Sequence, residues 1–353
     1  MPQPIRTAIA GLGRSGWAIH ANLLAPLTDL YRVVAVVDGE ETRREEARAR
    51  FGCSVHTDFG DLVANDDIEL IVVALPSFLH ADLTVQALEA GKHVVCEKPM
   101  ADSLPDATRM VEASRANPGT LSIFQQRRYN PDFVKVREII DSGVLGRIVQ
   151  IRMTENRFGR RWDWQTLQRF GGGSLNNTGP HYLDQALQLF GPKEPEVFCV
   201  LDRTLTLGDA DDHVKVVIKA EGQPTIDIEI SSACVYPGES WNVMGTQGGL
   251  QGNSLWGNRG ELKWSTFDPA DLEPRVLTTE PTPDRSYNRD VIPWQEYSWS
   301  PPATTEPVYT QYYRDLFETL RNGADLKITP ESVHRVIQLQ ERCHELAPLD
   351  RRF

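Results

Sequence analysis

The sequence predicts an α/β fold in two parts, a doubly wound parallel sheet followed by an α+β part with a large open, mainly antiparallel sheet, and three observations carry this. Short apolar runs alternate with helical stretches as far as about residue 125, and a G-x-G-x-x-G sequence joins the first run to the first helical stretch. Beyond that point the strands become long and alternate polar with apolar residues. A chain of 353 residues suits two domains better than one, so the boundary falls between 1–125 and 126–353.

In the first part, "IRTAIA", "RVVAVVD", "IELIVVAL", "HVVCEKP" and "LSIFQQ" read as strands. Nearly continuous aliphatic runs suit a parallel sheet covered on both faces. "ETRREEARARFG" and "HADLTVQALEAG" read as crossover helices. In the second, Leu83, Ala87 and Leu88 form an apolar stripe, Asp82 and Glu89 are polar, and Gly91 stands where a C-terminal cap belongs. After "RRYNPDF", one helix, "FVKVREIIDSG", leads into the strands "RIVQIRMTENRF", "DHVKVVIKA" and "TIDIEISSACV". Val214, Val216 and Ile218 point one way and Lys215 the other, predicting a sheet with one covered and one available face. Residues 267–307, rich in Pro, Thr, Asp and Glu, read as a long loop excursion. "ITPESVHRVIQLQERCHEL" closes the chain as a helix with Thr329 as its cap and Pro330 in its first turn.

Composition narrows the function. With 40% hydrophobic and 24% charged residues the chain is a globular one, and a net charge of −12 leaves no basic field to hold nucleic acid. Five cysteines (Cys53, Cys96, Cys199, Cys234, Cys343) show neither paired spacing nor a Cys/His ligand pattern, so no disulfide framework and no metal site are expected. "MPQPIRTAIAGLG" enters a strand at once, and no stretch approaches the roughly 18 apolar residues of a membrane span. A cytoplasmic protein with reduced thiols and no membrane partner is expected.

Gly11, Gly13 and Gly16 lie between a strand and a helix, the context that makes their spacing a dinucleotide fingerprint. Gly11 permits the tight turn, Gly13 lets backbone N–H groups approach a pyrophosphate, and Gly16 lets the helix pack with its N-terminus toward the anion. Asp38 ends the second strand, about twenty residues on, where a carboxylate accepts hydrogen bonds from ribose hydroxyls and repels a 2′-phosphate. NAD is therefore expected in preference to NADP. Arg43 and Arg44, set among Glu40, Glu41, Glu45 and Glu46, read as a solvated helix face.

"AGKHVVCEKPM" (90–100), "GLGRSG" before it and "GGGSLNNTGPHYLD" (171–184) after it, taken together and in that order, give the chain a resemblance to the glucose-fructose oxidoreductase, inositol dehydrogenase and MocA (Gfo/Idh/MocA) family over nearly its whole length. The resemblance implies a Rossmann domain at 1–125 and, at 126–353, a substrate-binding domain whose open sheet is used for oligomerisation. It also implies nicotinamide-dependent oxidation or reduction of a sugar or cyclitol. A homodimer or homotetramer is expected, since an uncovered apolar sheet face tends to be buried by a partner.

Carried over residue by residue, the family's E-K-P motif falls on Glu97, Lys98 and Pro99. Glu97 would lie beside the cofactor and Lys98 at the reacting substrate oxygen, where an ammonium group stabilises the charge left when a hydride departs. Pro76 and His80 match the loop beside the nicotinamide, although His80 also suits the simpler task of satisfying backbone groups at a helix start. The family's acid falls on Asn177, its histidine on His181 and a later acid on Asp184. An amide neither accepts a proton at neutral pH nor holds an imidazolium, so proton handling passes to His181 and Lys98. Asn177 also suits a helix N-cap.

Arg157, Arg161, Trp162 and Trp164, with arginine forks and indole faces, read as a substrate wall, or as anchors for a loop or a subunit contact. Tyr129 at the domain junction is a further substrate-binding candidate. The leading function is an NAD-dependent sugar or cyclitol dehydrogenase. The alternatives are a redox-neutral glycoside-cleaving or epimerising member of the family, and a non-catalytic nucleotide-binding regulator.

Overall fold

The computed structural model describes residues 3–253, 260–281, 287–303 and 306–352. Six strands form the first sheet: β1 (Ile5–Ala10), β2 (Tyr31–Val37), β3 (Ser54–His56), β4 (Leu70–Val73), β5 (His93–Cys96) and β6 (Leu121–Ile123). Their order is β3-β2-β1-β4-β5-β6, with every neighbouring pair parallel. All of β4 is buried, as a strand covered by helices on both sides requires. The order reverses between β1 and β4, and the crevice beyond their C-terminal ends is where an open α/β sheet receives a ligand.

Close packing of the first helix depends on glycine. A Cβ added to Gly16 would stand 1.8 Å from the carbonyl oxygen of Gly11, well inside contact distance. Gly11 itself has φ +91°, a left-handed conformation that disfavours any side chain.

The second sheet comprises β7 (Ile148–Asn156), β8 (Glu196–Asp202), β9 (His213–Lys219), β10 (Thr225–Ser231), β11 (Trp241–Gly245), β12 (Gly248–Gly252), β13 (Leu262–Thr266) and β14 (Gln295–Trp299). They run in the order β14-β13-β12-β11-β7-β10-β9-β8, and only β7 and β10 pair in parallel. Val214, Val216 and Ile218 join Ile226, Ile228 and Ile230 on the covered face, packed in one core with Leu183, Ala186 and Leu187 of the helix Gly179–Phe190.

The opposite face is more polar than expected. Lys215 sits between Asp227 and Glu229 at 2.7 and 3.1 Å, and exposed apolar side chains lie to either side, Phe198 and Val200 on β8 and Met244 on β11. The 267–307 excursion is not all loop, because β14 returns to pair with β13.

Two helices from the second part of the chain pack back onto the first. The helix Thr310–Asn322 buries Tyr312, Tyr313, Leu316 and Phe317 in the core of the first domain. The helix Pro330–Leu346 contributes Val333 and Ile337 to that core and Val336, Leu339 and Cys343 to the other. The chain therefore ends by stapling its two sheets together. Among the described residues, no helix is long and apolar enough to cross a membrane.

The glycine contact carries a test. Gly16→Ala should lower stability by about 1–3 kcal/mol, the usual penalty for overpacking a tight site. An unchanged melting temperature would show that the helix has room to move.

Candidate active site

At the nucleotide end, Gly13 precedes the helical turn Arg14–Ala21, whose first N–H groups have no side-chain cap. A Cβ on Gly13 would meet nothing within 4 Å, so the space before the turn is open. Asp38 is buried at the end of β2 and held by backbone donors, Leu12 N to Oδ2 at 2.7 Å and Glu40 N to Oδ1 at 2.9 Å. An open helix start for the pyrophosphate and a fixed carboxylate for the ribose diol fit bound NAD. Arg43 and Arg44 are not merely a solvated face. Arg43 lies 3.6 Å from the Asp38 carboxylate, and Arg44 donates to the carbonyls of Asp38 and Gly39.

Glu97, expected beside the cofactor, is turned inward. Its Oε2 accepts from the backbone N–H of Lys98 at 2.9 Å, and its Oε1 lies 3.2 Å from His20 Nε2. His20 in turn lies 2.6 Å from the Tyr313 hydroxyl. Burial pushes the Glu97 carboxyl up, but His20 and Lys98 outweigh it and hold it below the usual carboxylate range. Glu97 is thus an anchored anion under the lysine turn. Pro76 stands before the short turn Ser77–Leu79, and both ring nitrogens of His80 are engaged by backbone carbonyls, the simpler of its two expected roles.

From this anchor the Lys98 side chain crosses to the second domain, where Nζ donates to the Asn177 carbonyl at 3.1 Å and meets Asn177 Oδ1 at 3.4 Å. Burial lowers the Lys98 pKa; Glu97 opposes this, while Arg127 and Arg14 add to it. Asn177 closes the helix Ser174–Asn177, and Thr178 holds the cap position of the next helix. The amide is therefore turned to the lysine and does not serve as an N-cap. The glycines before it serve the chain itself: at Gly173, with φ +114°, a Cβ would lie 2.3 Å from Asp211 Oδ1, and Asp211 accepts from Leu175 N at 2.7 Å.

His181 lies one helical turn beyond Asn177 and is only 5% exposed. Its Nδ1 has no hydrogen-bond partner among the described residues. Burial, with Arg127 and Lys98 adding repulsion, drives its pKa well below the ordinary imidazole value, so the ring is neutral at physiological pH. Asp184 is taken up by Arg128, which holds both carboxylate oxygens at 2.8 and 2.5 Å. The pair lies wholly within 126–353 and braces that domain beside the site.

Arg127 is the site residue that sequence reasoning missed. Its guanidinium bonds Glu155 at 3.0 Å and lies over the Tyr182 ring at 5.6 Å, and its charge acts on both Lys98 and His181. The signal was visible in "QQRRYN", where the two arginines count only as charge until their partners are known.

The outer candidates divide. Arg157 reaches the same Glu155 at 3.6 Å and so adjoins the buried cluster. Arg161 is bound to Asp163 and Gln165, Trp162 is 74% exposed, and Trp164 packs edge-on against Phe170. Tyr129 is spent elsewhere, since its hydroxyl donates to Asp315 at 2.9 Å.

A dinucleotide turn that leads, two strands on, to a half-buried lysine set against an amide and beside a neutral histidine defines an oxidoreductase of the NAD-binding Rossmann class. Comparison with known proteins agrees with that class. Residues 5–125 match the model described as an oxidoreductase family with an NAD-binding Rossmann fold, and residues 133–251 match the C-terminal domain of the same family. The chain belongs to the Gfo/Idh/MocA family.

An uncharacterized oxidoreductase of Schizosaccharomyces pombe is 32% identical over 69% of this chain and 69% of its own length. The scyllo-inositol 2-dehydrogenase (NADP(+)) of Bacillus subtilis is 26% identical over 97% of this chain and 93% of its own. The WlbA dehydrogenase of Bordetella pertussis, solved with NADH and UDP-GlcNAcA, shares the fold with a TM-score of 0.75 at 22% identity, covering 98% and 96% of the two chains.

The buried histidine has a thermodynamic consequence. Its folded pKa lies below the unfolded value of about 6.5, so the unfolded chain takes up a proton that the native one refuses, and stability falls as pH drops below about 6.5. His181→Gln should lose part of that acid sensitivity. Equal slopes of stability against pH in the two proteins would show that His181 takes up its proton as readily in the native state as in the unfolded chain.

Proposed function

We propose that the protein is an NAD-dependent dehydrogenase acting on a hydroxyl group of a sugar, sugar derivative or cyclitol. The observation that carries this is Lys98, half-buried, held by Glu97 beneath and touching Asn177 above, with neutral His181 one helical turn away. The names of relatives supply the substrate class: the Bacillus subtilis relative is an inositol dehydrogenase and the Bordetella structure holds a nucleotide sugar.

NAD, when bound, supplies the acceptor for the hydride. The Lys98 ammonium group stabilises the carbinol oxygen as it becomes a carbonyl. His181, uncharged, has a lone pair available for the hydroxyl proton, and in the reverse direction returns it. Arg127 keeps both groups from holding protons too tightly. Water is kept out by the same burial that lowers their pKa values.

Asn177 favours a second reading, a redox-neutral cycle in which transient oxidation is followed by elimination or epimerisation. An amide against Lys98 cannot share its proton, which suits a lysine that works electrostatically. Incubating the protein with NAD and a panel of sugars, cyclitols and glycosides separates the readings: NADH accumulates under the first, and product forms without net NADH under the second. Binding without product would leave only the regulator.

Lys98→Ala and His181→Ala should each lower turnover by roughly 10²-fold or more, with little change in NAD affinity. Asn177→Asp sets an anion 3.4 Å from Lys98, so the lysine pKa should rise and the alkaline limb of activity move upward. An unaltered pH profile would remove Asn177 from the site.

We also propose that a second copy covers the open face of the large sheet, through the apolar groups beside its charged centre. Light scattering at micromolar concentration should report a dimer or tetramer; a monomer contradicts this.

A further inference from the structure

His80 begins the helix His80–Glu89 and is 1% exposed. Its Nδ1 lies 2.8 Å from the carbonyl oxygen of Pro99, and its Nε2 lies 2.9 Å from that of Leu75. A carbonyl oxygen only accepts, so both contacts are hydrogen bonds only when both ring nitrogens carry protons. A neutral ring would set its lone pair against one of the two oxygens, in a place water does not reach.

We propose that His80 is held as an imidazolium that clasps together the loops following β4 and β5, and that it is thereby a positioning residue for Lys98. Leu75 lies two residues past β4, and Pro99 directly follows Lys98, so the clasp fixes the lysine turn from the side opposite Glu97. Glu97 holds the N–H of Lys98 and His80 holds the carbonyl of the next residue. Between them, the peptide segment that carries the amine has no freedom to swing.

The charge has a local context. Cys96 on β5 is the titratable group facing the ring, while Asp82 on the same helix is exposed and paired with Arg109. Burial alone would press the His80 pKa down, but the Cys96 sulfur and the two carbonyls outweigh it and hold it up at about 9. The folded value is above the unfolded one, so the stabilisation is fully present below about pH 6.5 and is lost as pH rises through about 9.

The inference uses the reactive role of Lys98 proposed above, but its test needs no turnover, so its failure leaves that role standing. Ring-¹⁵N-labelled histidine in the full-length protein is followed from pH 6 to 10, the His80 signals being those absent from His80→Gln. Both nitrogens should show imidazolium shifts at pH 7.5 and titrate together near 9. A neutral tautomer at pH 7.5 overturns the proposal.

Positioning is read separately, by the rate of Lys98 acetylation with acetic anhydride, measured by mass spectrometry. Lys92 serves as the control, because it is a buried lysine bonded to two carbonyls, those of Asn65 and Ile68, at the other end of β5. In His80→Gln at pH 7.5, Lys98 should react roughly threefold faster or more while Lys92 is unchanged. In the unsubstituted protein Lys98 should gain on Lys92 as pH passes 9, beyond the gain seen in His80→Gln. Equal acceleration of both lysines, or of neither, contradicts a positioning role. If the variant does not fold, the ring-nitrogen titration of the unsubstituted protein decides: one of its eight histidines should be imidazolium at pH 7.5 and titrate near 9, and a protein with no such histidine overturns the proposal.

Discussion

The site depends on one buried carboxylate. Glu97 lies at the C-terminal end of β5, where the parallel sheet opens its ligand crevice, and an unpaired charge there would cost several kcal/mol. Its partners set the geometry of everything around it. The backbone N–H of Lys98 fixes the start of the lysine, His20 ties the carboxylate to the first helix, and Tyr313 extends the chain of contacts to a helix nearly three hundred residues away in sequence. The nucleotide turn, the lysine and the returning C-terminal helix therefore meet at a single anion. The apolar face of Thr310–Asn322, buried in the first core, holds Tyr313 at that contact.

Around the anchored lysine the protein gathers cations and withholds water. Arg14 and Arg127 act on Lys98, and Arg127 and Lys98 act on His181. Glu155 offsets part of this by bonding Arg127. The result is an amine and an imidazole that both give up protons more readily than they would in water. For a reaction that moves a proton and a hydride from one carbinol, such poise is the useful condition. The substitution of an amide at position 177 fits the same economy of charge, because it contacts the amine without neutralising it.

Features set by neighbours in the chain were legible in the sequence. Gly11, Gly13, Gly16 and Asp38 stand at fixed distances along one β-turn-α-β unit, so spacing alone located them. The alternation of Val214, Val216 and Ile218 located the covered face of the second sheet for the same reason. Features set by distant partners were not legible. Glu97 looked like a cofactor ligand because His20 lies 77 residues away, and Tyr129 looked like a substrate ligand because Asp315 lies 186 residues away. Asn177 looked like a cap because its contact with Lys98 spans 79 positions. Arg127 escaped notice because its role is exerted through charge on groups it does not adjoin in sequence. Helix-end signals at Pro330 were correct, yet they carried no information on which core the helix would enter.

The central claim is that Lys98 is held at the point where the nicotinamide and a substrate carbinol meet. A crystal structure with NAD bound tests it most directly. The account predicts the pyrophosphate at the turn after β1, the adenosine ribose on Asp38, and the reactive face of the nicotinamide turned to Lys98 and His181 with room for one carbinol group between. A nicotinamide ring lying away from Lys98, or a Lys98 side chain sealed from the ring by protein, would contradict it.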